Sequence, residues 1–164
     1  MSDKHLFLSV GRHLAVPLFC SVLIAFALLT MAGASGDDMQ QVHLLSAANT
    51  KFALDLYKRH MSPTDQNIFM SPLSITVALA MTYLGARGHT KDQMREVLHF
   101  THVIEDHLHL AFSDILAALS KPDQAYKLYM ANRLFGDKSY SFLDEFLDAG
   151  RQFYGAELEP VDFR

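Results

Sequence analysis

The sequence predicts a helix-rich α+β fold whose strands are few and short. Three observations carry this. Apolar residues recur at steps of three and four over several stretches, the spacing of amphipathic helices. Leu73 to Leu84 holds no charge at all, which suits a helix enclosed by a core. Period-two alternation is confined to short runs, such as Tyr126, Leu128 and Met130 against Lys127, Tyr129 and Ala131.

The N-terminus has its own character. Lys4 and Arg12 precede an uncharged stretch from Leu14 to Gly36, whose core to Met31 is rich in Leu, Val, Ala and Phe. Ala32-Gly33-Ala34 then offers a small-residue exit with Ser35 after it. Residues 1-34 therefore read as a secretory signal peptide. An uncleaved membrane anchor is the alternative, because the run is just long enough to span at about 20 residues. Positive charge precedes the segment and Asp37 and Asp38 follow it, so either reading exports the body, residues 35-164. Cleavage removes Cys20, the only cysteine, and leaves a body held by its apolar core alone.

Leu45, Ala48, Phe52 and Leu56 mark a helix from about Met39 to His60, broken by Ser62-Pro63-Thr64-Asp65. Asn67 to Met70 is an apolar run suited to a buried strand. Ser71-Pro72 opens the next helix: the hydroxyl can accept from a free backbone N–H, and proline fits the first turn. Gly85 is placed to supply a left-handed C-terminal cap. Thr90-Lys91-Asp92-Gln93 has the capping-box pattern, with Met94, Val97 and Leu98 facing inward. Ile104, Leu108, Ala111, Ile115 and Leu119 keep helical spacing until Lys121-Pro122-Asp123. Gly136-Asp137-Lys138 is expected to turn the chain. Ser141 to Tyr154 reads as a helix closed by Gly155, and Glu157 to Phe163 as a strand at an edge or bulge, because Pro160 lacks a ladder donor. That strand has almost nothing after it to pair with, which points to an incomplete domain.

Several of these segments, in this order, resemble the N-terminal part of the serpins, most of all the ovalbumin-type branch that includes leukocyte elastase inhibitor. They are 45–56 (LSAANTKFALDL), 67–74 (NIFMSPLS), 84–90 (LGARGHT), 130–136 (MANRLFG) and 154–163 (YGAELEPVDF). The resemblance implies an α+β serpin fold, N-terminal part only, with helices A to E and strands of sheets A and B. It implies a serine protease as partner of the full-length parent. In the family the protease cleaves a reactive-centre loop, becomes trapped as an acyl-enzyme, and is distorted as the loop inserts into sheet A. The family places that loop beyond Arg164, so residues 1-164 are expected to hold no reactive centre and not to inhibit alone. A non-inhibitory binding or carrier protein, or an inert fragment, are the other readings. The branch typically lacks a cleaved N-terminal signal, and this chain departs from it there. The resemblance also makes Asn67, Ser71 and Ser74 a shutter-like polar cluster beneath the place where sheet A opens; without it, Ser71 is explained as a helix cap.

Other chemistries find little footing. No catalytic residue, cofactor or metal is expected, since no Gly-x-Ser-x-Gly, phosphate-loop or HExxH pattern occurs. A net charge of −4 argues against nucleic acid. His99, His102, His107 and His109 lie close in sequence, and zinc could use three of them with Glu105 or Asp106. His107 and His109 point about 200° apart on a helix, however, so a solvated helix face is expected. Some serpins bind heparin through helix D. The matching segment, Ile104 to Ser120, has Glu105, Asp106 and Asp114 and no Lys or Arg, the wrong sign for a polyanion.

Overall fold

The computed structural model describes residues 36–60, 68–121 and 130–164. Expectations for the N-terminal segment, for the break after His60, for Asn67 and for the alternation at Tyr126 to Tyr129 fall outside them. Among the described residues no helix is long and apolar enough to cross a membrane.

Helix α1 runs Gly36–His60, starting three residues before the expected Met39. Asp37 and Asp38 sit in its first turn and Lys58, Arg59 and His60 in its last, each sign matched to the helix dipole. Helix α2, Pro72–Gly85, opens as expected: extended Ser71 takes the Ser74 N–H on its Oγ at 3.4 Å, and Pro72 fills the first turn. Leu73, Thr76, Val77, Ala80, Met81 and Tyr83 are buried, and the Thr76 hydroxyl is satisfied by the Pro72 carbonyl at 2.9 Å. The helix is not enclosed all round, because Ala78, Thr82 and Gly85 line an exposed side.

The connection from α2 to helix α3 (Gly88–Val97) departs from the expected caps. Gly85 is the last helical residue and not a left-handed cap; Ala86, in an extended conformation, closes its N–H onto the Tyr83 carbonyl at 3.1 Å. The small residue is used for proximity instead: a Cβ there would lie 3.3 Å from the Phe146 ring. Only Ala86 and Arg87 separate the helices, so α3 begins at Gly88, which takes the positive φ, and Thr90 is already inside it. Arg87 turns its guanidinium back onto the Leu84 and Ala86 carbonyls, 2.9 and 2.8 Å away.

After α3 the helical period breaks. Left-handed His99 sends the chain into a 3-10 turn, Phe100–His102. Leu98 is buried as expected, but Val97, the last residue of α3, is exposed. Helix α4 is Glu105–Leu119 and buries Leu108, Ala111, Phe112, Ile115 and Leu119. Ile104 caps it from outside and is exposed. Its N–H is taken by the buried Gln41 of α1 at 2.9 Å.

The C-terminal portion is a β–α–β unit. Strands β1 (Leu134–Asp137) and β2 (Leu158–Val161) pair in parallel, Gly136 opposite Pro160. Parallel strands need a crossover, and helix α5, Asp144–Tyr154, is it. Gly155 closes α5 at φ 58°, as expected, letting the Gly155 and Ala156 N–H groups reach the Arg151 and Gly150 carbonyls. Three expectations shift here. Ser141 lies before the helix, which begins at Asp144. Gly136 and Asp137 lie in β1, and the turn comes one residue later, where the Asp137 carboxylate accepts from the Ser139 N–H and hydroxyl at 2.8 and 2.6 Å. Finally, Ile68 to Met70 are not a strand and Phe69 is fully exposed, because no strand pairs with them among the described residues.

A single core joins α1, α2, the 98–103 segment and α4 through Leu45, Phe52, Val77, Phe100, Leu108 and Phe112. Helix α5 packs on α2 and α4. The Phe142 ring lies over Gly136, where a Cβ would come within 2.5 Å of it. Gly136→Ala is therefore expected to destabilise by about 1–3 kcal/mol, the range for overpacking. Phe142→Ala in the same chain should recover part of the loss by making room. Denaturant midpoints of the two single variants and the double variant check this; an unchanged midpoint for Gly136→Ala contradicts the close approach.

Candidate functional site

Two polar nodes sit at opposite ends of α2. At its start, the Ser71 hydroxyl donates to the Ser74 hydroxyl at 3.1 Å while accepting from the Ser74 N–H. Ser71 is exposed and Ser74 half-buried. These two expected site residues are thus together, and Asn67, the third, lies outside the described residues.

The node at the far end was not foreseen. Glu105, first residue of α4, receives the Tyr83 hydroxyl through both oxygens, at 2.9 and 3.1 Å. Lys91 of α3 approaches the same carboxylate at 2.6 Å, and Arg95, one helical turn on, also pairs with it. A second Arg95 nitrogen donates to the Val103 carbonyl at 3.0 Å. The Lys91 ammonium also stands over the Tyr83 ring, 5.2 Å from its centroid. Burial works against ionising Glu105, but the bonds from Lys91 and Tyr83 and the charges of Lys91 and Arg95 outweigh it and hold the carboxyl below its ordinary range. Burial is also the main cause that pushes the Tyr83 phenol up, so it stays a donor.

Below this node lies a closed circuit of five rings. Tyr83 meets Phe100 edge-on, Phe100 meets Phe112 edge-on, Phe112 meets Tyr154, Tyr154 meets His109, and His109 returns to Tyr83, all at centroid separations of 5.8–6.1 Å. Phe153 flanks His109 from α5. Burial, slightly relieved by the Glu105 charge, depresses the His109 imidazole to about 4. The neutral ring accepts the Tyr154 hydroxyl at Nδ1, 2.6 Å away. Burial drives that phenol far above its usual range, in keeping with its role as donor.

The four histidines are therefore separated rather than spread over one solvated face. His99 meets Asp55 at 2.9 Å, His107 faces Asp38 at 3.8 Å, His102 is exposed, and His109 is enclosed by rings. The expectation of a solvated face fails for His109 because α5, more than thirty residues later, covers it. Glu105 is taken up by three donors and Ser71 Oγ by its neighbour, so neither is arranged as a base or a nucleophile. Two clefts flank α5. One of about 370 Å³ lies between Leu116, Met130, Arg133 and Tyr154; the other, of about 520 Å³, lies between Thr82, Phe135, Phe142 and Leu158.

Comparison with known proteins places this arrangement. The family model described as serpin, serine protease inhibitor, matches residues 47–164. The chain belongs to the serpin family. Leukocyte elastase inhibitor of Sus scrofa is 51% identical over 120 residues, and serpin B3 of Homo sapiens 43% identical over 133. Each alignment covers 73% of this chain, but only 31% and 34% of the respective relative. Among solved structures, ovalbumin from the emu Dromaius novaehollandiae is similar at a TM-score of 0.66 with 35% identity, covering 73% of this chain and 34% of its own. Human thyroxine-binding globulin is similar at a TM-score of 0.69 with 31% identity, covering 75% and 34%. The chain thus spans about a third of the length of these relatives. Its fold is that of part of a serpin, mostly helical with a small sheet, as the motifs imply.

The buried histidine gives this serpin platform a pH dependence of defined sign. The folded value near 4 lies below the ordinary 6.5, so the unfolded chain binds the extra proton between them. His109 therefore costs nothing above pH 6.5, and its contribution is lost progressively as pH falls toward 4, by up to about 3 kcal/mol. Denaturant midpoints between pH 7.5 and 4 should fall in the native chain and fall less in His109→Gln. Equal slopes for the two chains contradict a buried neutral imidazole.

Proposed function

We propose that this chain is the N-terminal portion of a serpin that inhibits a serine protease by the family's suicide-substrate route. In this reading residues 35-164 supply the helical platform and the first strands. The bait loop and the sheet that receives it come from the rest of the full-length parent, and residues 35-164 alone inhibit nothing. The observation that carries it is the 51% identity to leukocyte elastase inhibitor, a relative named for that activity. The likeness to thyroxine-binding globulin favours a second reading, a non-inhibitory carrier.

Within the inhibitory reading, Ser71 and Ser74, together with Asn67, act as a shutter-like cluster. The support is local: the two hydroxyls already bond each other at the exposed start of α2, where they are free to exchange that bond for one to an arriving strand. Export is part of the same proposal. It rests on the basic flank, the apolar core and Ala32-Gly33-Ala34, which make residues 1-34 a cleavable signal and the product extracellular.

Grafting tests the reading. Residues 47–164 replace the matching third of the porcine elastase inhibitor, and the chimera is incubated with elastase. A detergent-stable covalent complex is the expected result, weakened in favour of simple cleavage by Ser74→Ala. A folded chimera that elastase merely cleaves contradicts the inhibitory reading and favours the carrier. For export, the native reading frame is expressed in a secreting cell and the released product is sequenced from its N-terminus. A start near Ser35 is expected; a membrane-bound product beginning at Met1 contradicts a cleaved signal.

A further inference from the structure

Helix α5 and the strands it joins sit on the edge of the core rather than in it. Gly150 is the one buried residue of α5, whereas α4 buries six. The core is built by α1, α2, the 98–103 segment and α4, and Tyr154 reaches it from α5 as a half-buried ring. Two clefts undercut the unit. The cleft of about 370 Å³ lies between α4 and the end of α5, and that of about 520 Å³ between the end of α2 and the start of α5. The Glu105 node, which ties α2, α3 and α4 together, takes no donor from α5.

Against this thin packing stands a directional tie. The Tyr154 hydroxyl donates to His109 Nδ1 at 2.6 Å, and the Phe153 and Tyr154 rings cover the imidazole from the α5 side at 5.8 and 5.9 Å. We propose that the Tyr154–His109 bond is an acid-released latch: protonating the imidazole lifts α5, with β1 and β2, off a helical platform that stays folded.

Tyr154 donates to a neutral imidazole, and an imidazolium has no acceptor nitrogen. The phenol oxygen can turn to accept from a protonated Nδ1, but the new charge then stays in a half-buried cage of rings. The groups around it do not remove that cost. From α3, the Lys91 charge opposes protonation; from the first turn of α4, the Glu105 charge favours it but is already shared by three donors. From α2 the facing group is the Tyr83 phenol, itself bonded to Glu105. On α5, Tyr154 keeps its proton, and Asp148 and Arg151 pair with each other at 2.7 Å. Burial therefore dominates and holds the imidazole at about 4. Moving Phe153 and Tyr154 aside is the cheapest way to bring water to the ring, because α5 has little buried surface to lose, and local openings draw on such weakly packed elements. Opening returns His109 toward its ordinary 6.5. The latch is thus fully held above pH 6.5 and is released progressively as pH falls toward 4. The loss of global stability in acid follows from the same proton; the latch assigns the first part of that loss to α5 and the sheet. It rests on the packing of α5 and holds under either reading of function.

Hydrogen exchange on the full chain between pH 7.5 and 5.5, corrected for intrinsic rates, tests the latch. Peptides from residues 144–161 should lose protection about tenfold, the factor set by a proton site near 4 when closed and 6.5 when open. Peptides from α1 and α2 should keep theirs. In His109→Gln, residues 144–161 should become indifferent to pH over this range. In Tyr154→Phe they should exchange faster already at pH 7.5. Equal loss in α1, α2 and α5 overturns the proposal, because acid then unfolds the chain as a whole. Constant protection of residues 144–161 in the native chain overturns it too, as does a pH response that survives in His109→Gln. The comparison of α5 with α1 and α2 is made within the native chain, and so decides the matter even where a variant folds poorly.

Discussion

The Glu105 carboxylate is the interaction on which the platform depends. It stands where α2, α3, the 3-10 turn and α4 converge, and it takes donors from Tyr83, Lys91 and Arg95. Each of these side chains aims a donor at it. Tyr83 is buried, and a buried hydroxyl left unsatisfied costs about 1–3 kcal/mol. Arg95 uses its remaining reach to hold the Val103 carbonyl and so fixes the turn that delivers α4. The carboxylate also sits at the start of α4, where a negative charge suits the helix dipole.

Below Glu105 the ring circuit converts that local anchor into relative placement of helices. Tyr83 belongs to α2, Phe100 to the turn, His109 and Phe112 to α4, and Tyr154 to α5. A shift of any one element breaks at least two ring contacts at once, and the Tyr154–His109 bond adds direction to packing that is otherwise non-directional. Helix α5 then carries the β1–β2 pair. The small sheet is in this way referenced to the core through Tyr154 at one end and through Phe142 and Phe146 against Gly136 and Gly85 at the other.

Much of this was legible in the sequence. All five helices were expected: α1 and α4 from the apolar period, α2 from its charge-free run behind Ser71-Pro72, α3 from the Thr90–Gln93 pattern, and α5 from the 141–154 stretch closed by Gly155, because those signals act through the nearest backbone. The closure at Gly155 is legible for the same reason. The errors are instructive. Gly85, Thr90 and Gly136 carry local signatures of caps and turns, yet Gly85 and Gly136 are small because Phe146 and Phe142 lie against them, and Thr90 is overtaken by a two-residue connection. Ile68 to Met70 have strand composition but no partner among the described residues, and composition alone does not make a ladder. The Glu105 node joins residues up to 22 positions apart, and the His109–Tyr154 bond spans 45. Neither spacing has a pattern that a single sequence displays. The nearest available signal for His109 is its position one turn before buried Phe112, on the face that α4 turns inward.

A double-mutant cycle between Tyr83→Phe and Glu105→Gln tests the central role of the carboxylate most directly. If the Tyr83 hydroxyl and the Glu105 charge act as one unit, the two losses will not add. Their coupling in denaturant melts is predicted at about 1 kcal/mol, a charged hydrogen bond discounted because the Glu105 side chain is about a third exposed. Additive losses, with coupling near zero, would contradict the account and leave the helices held by apolar packing alone.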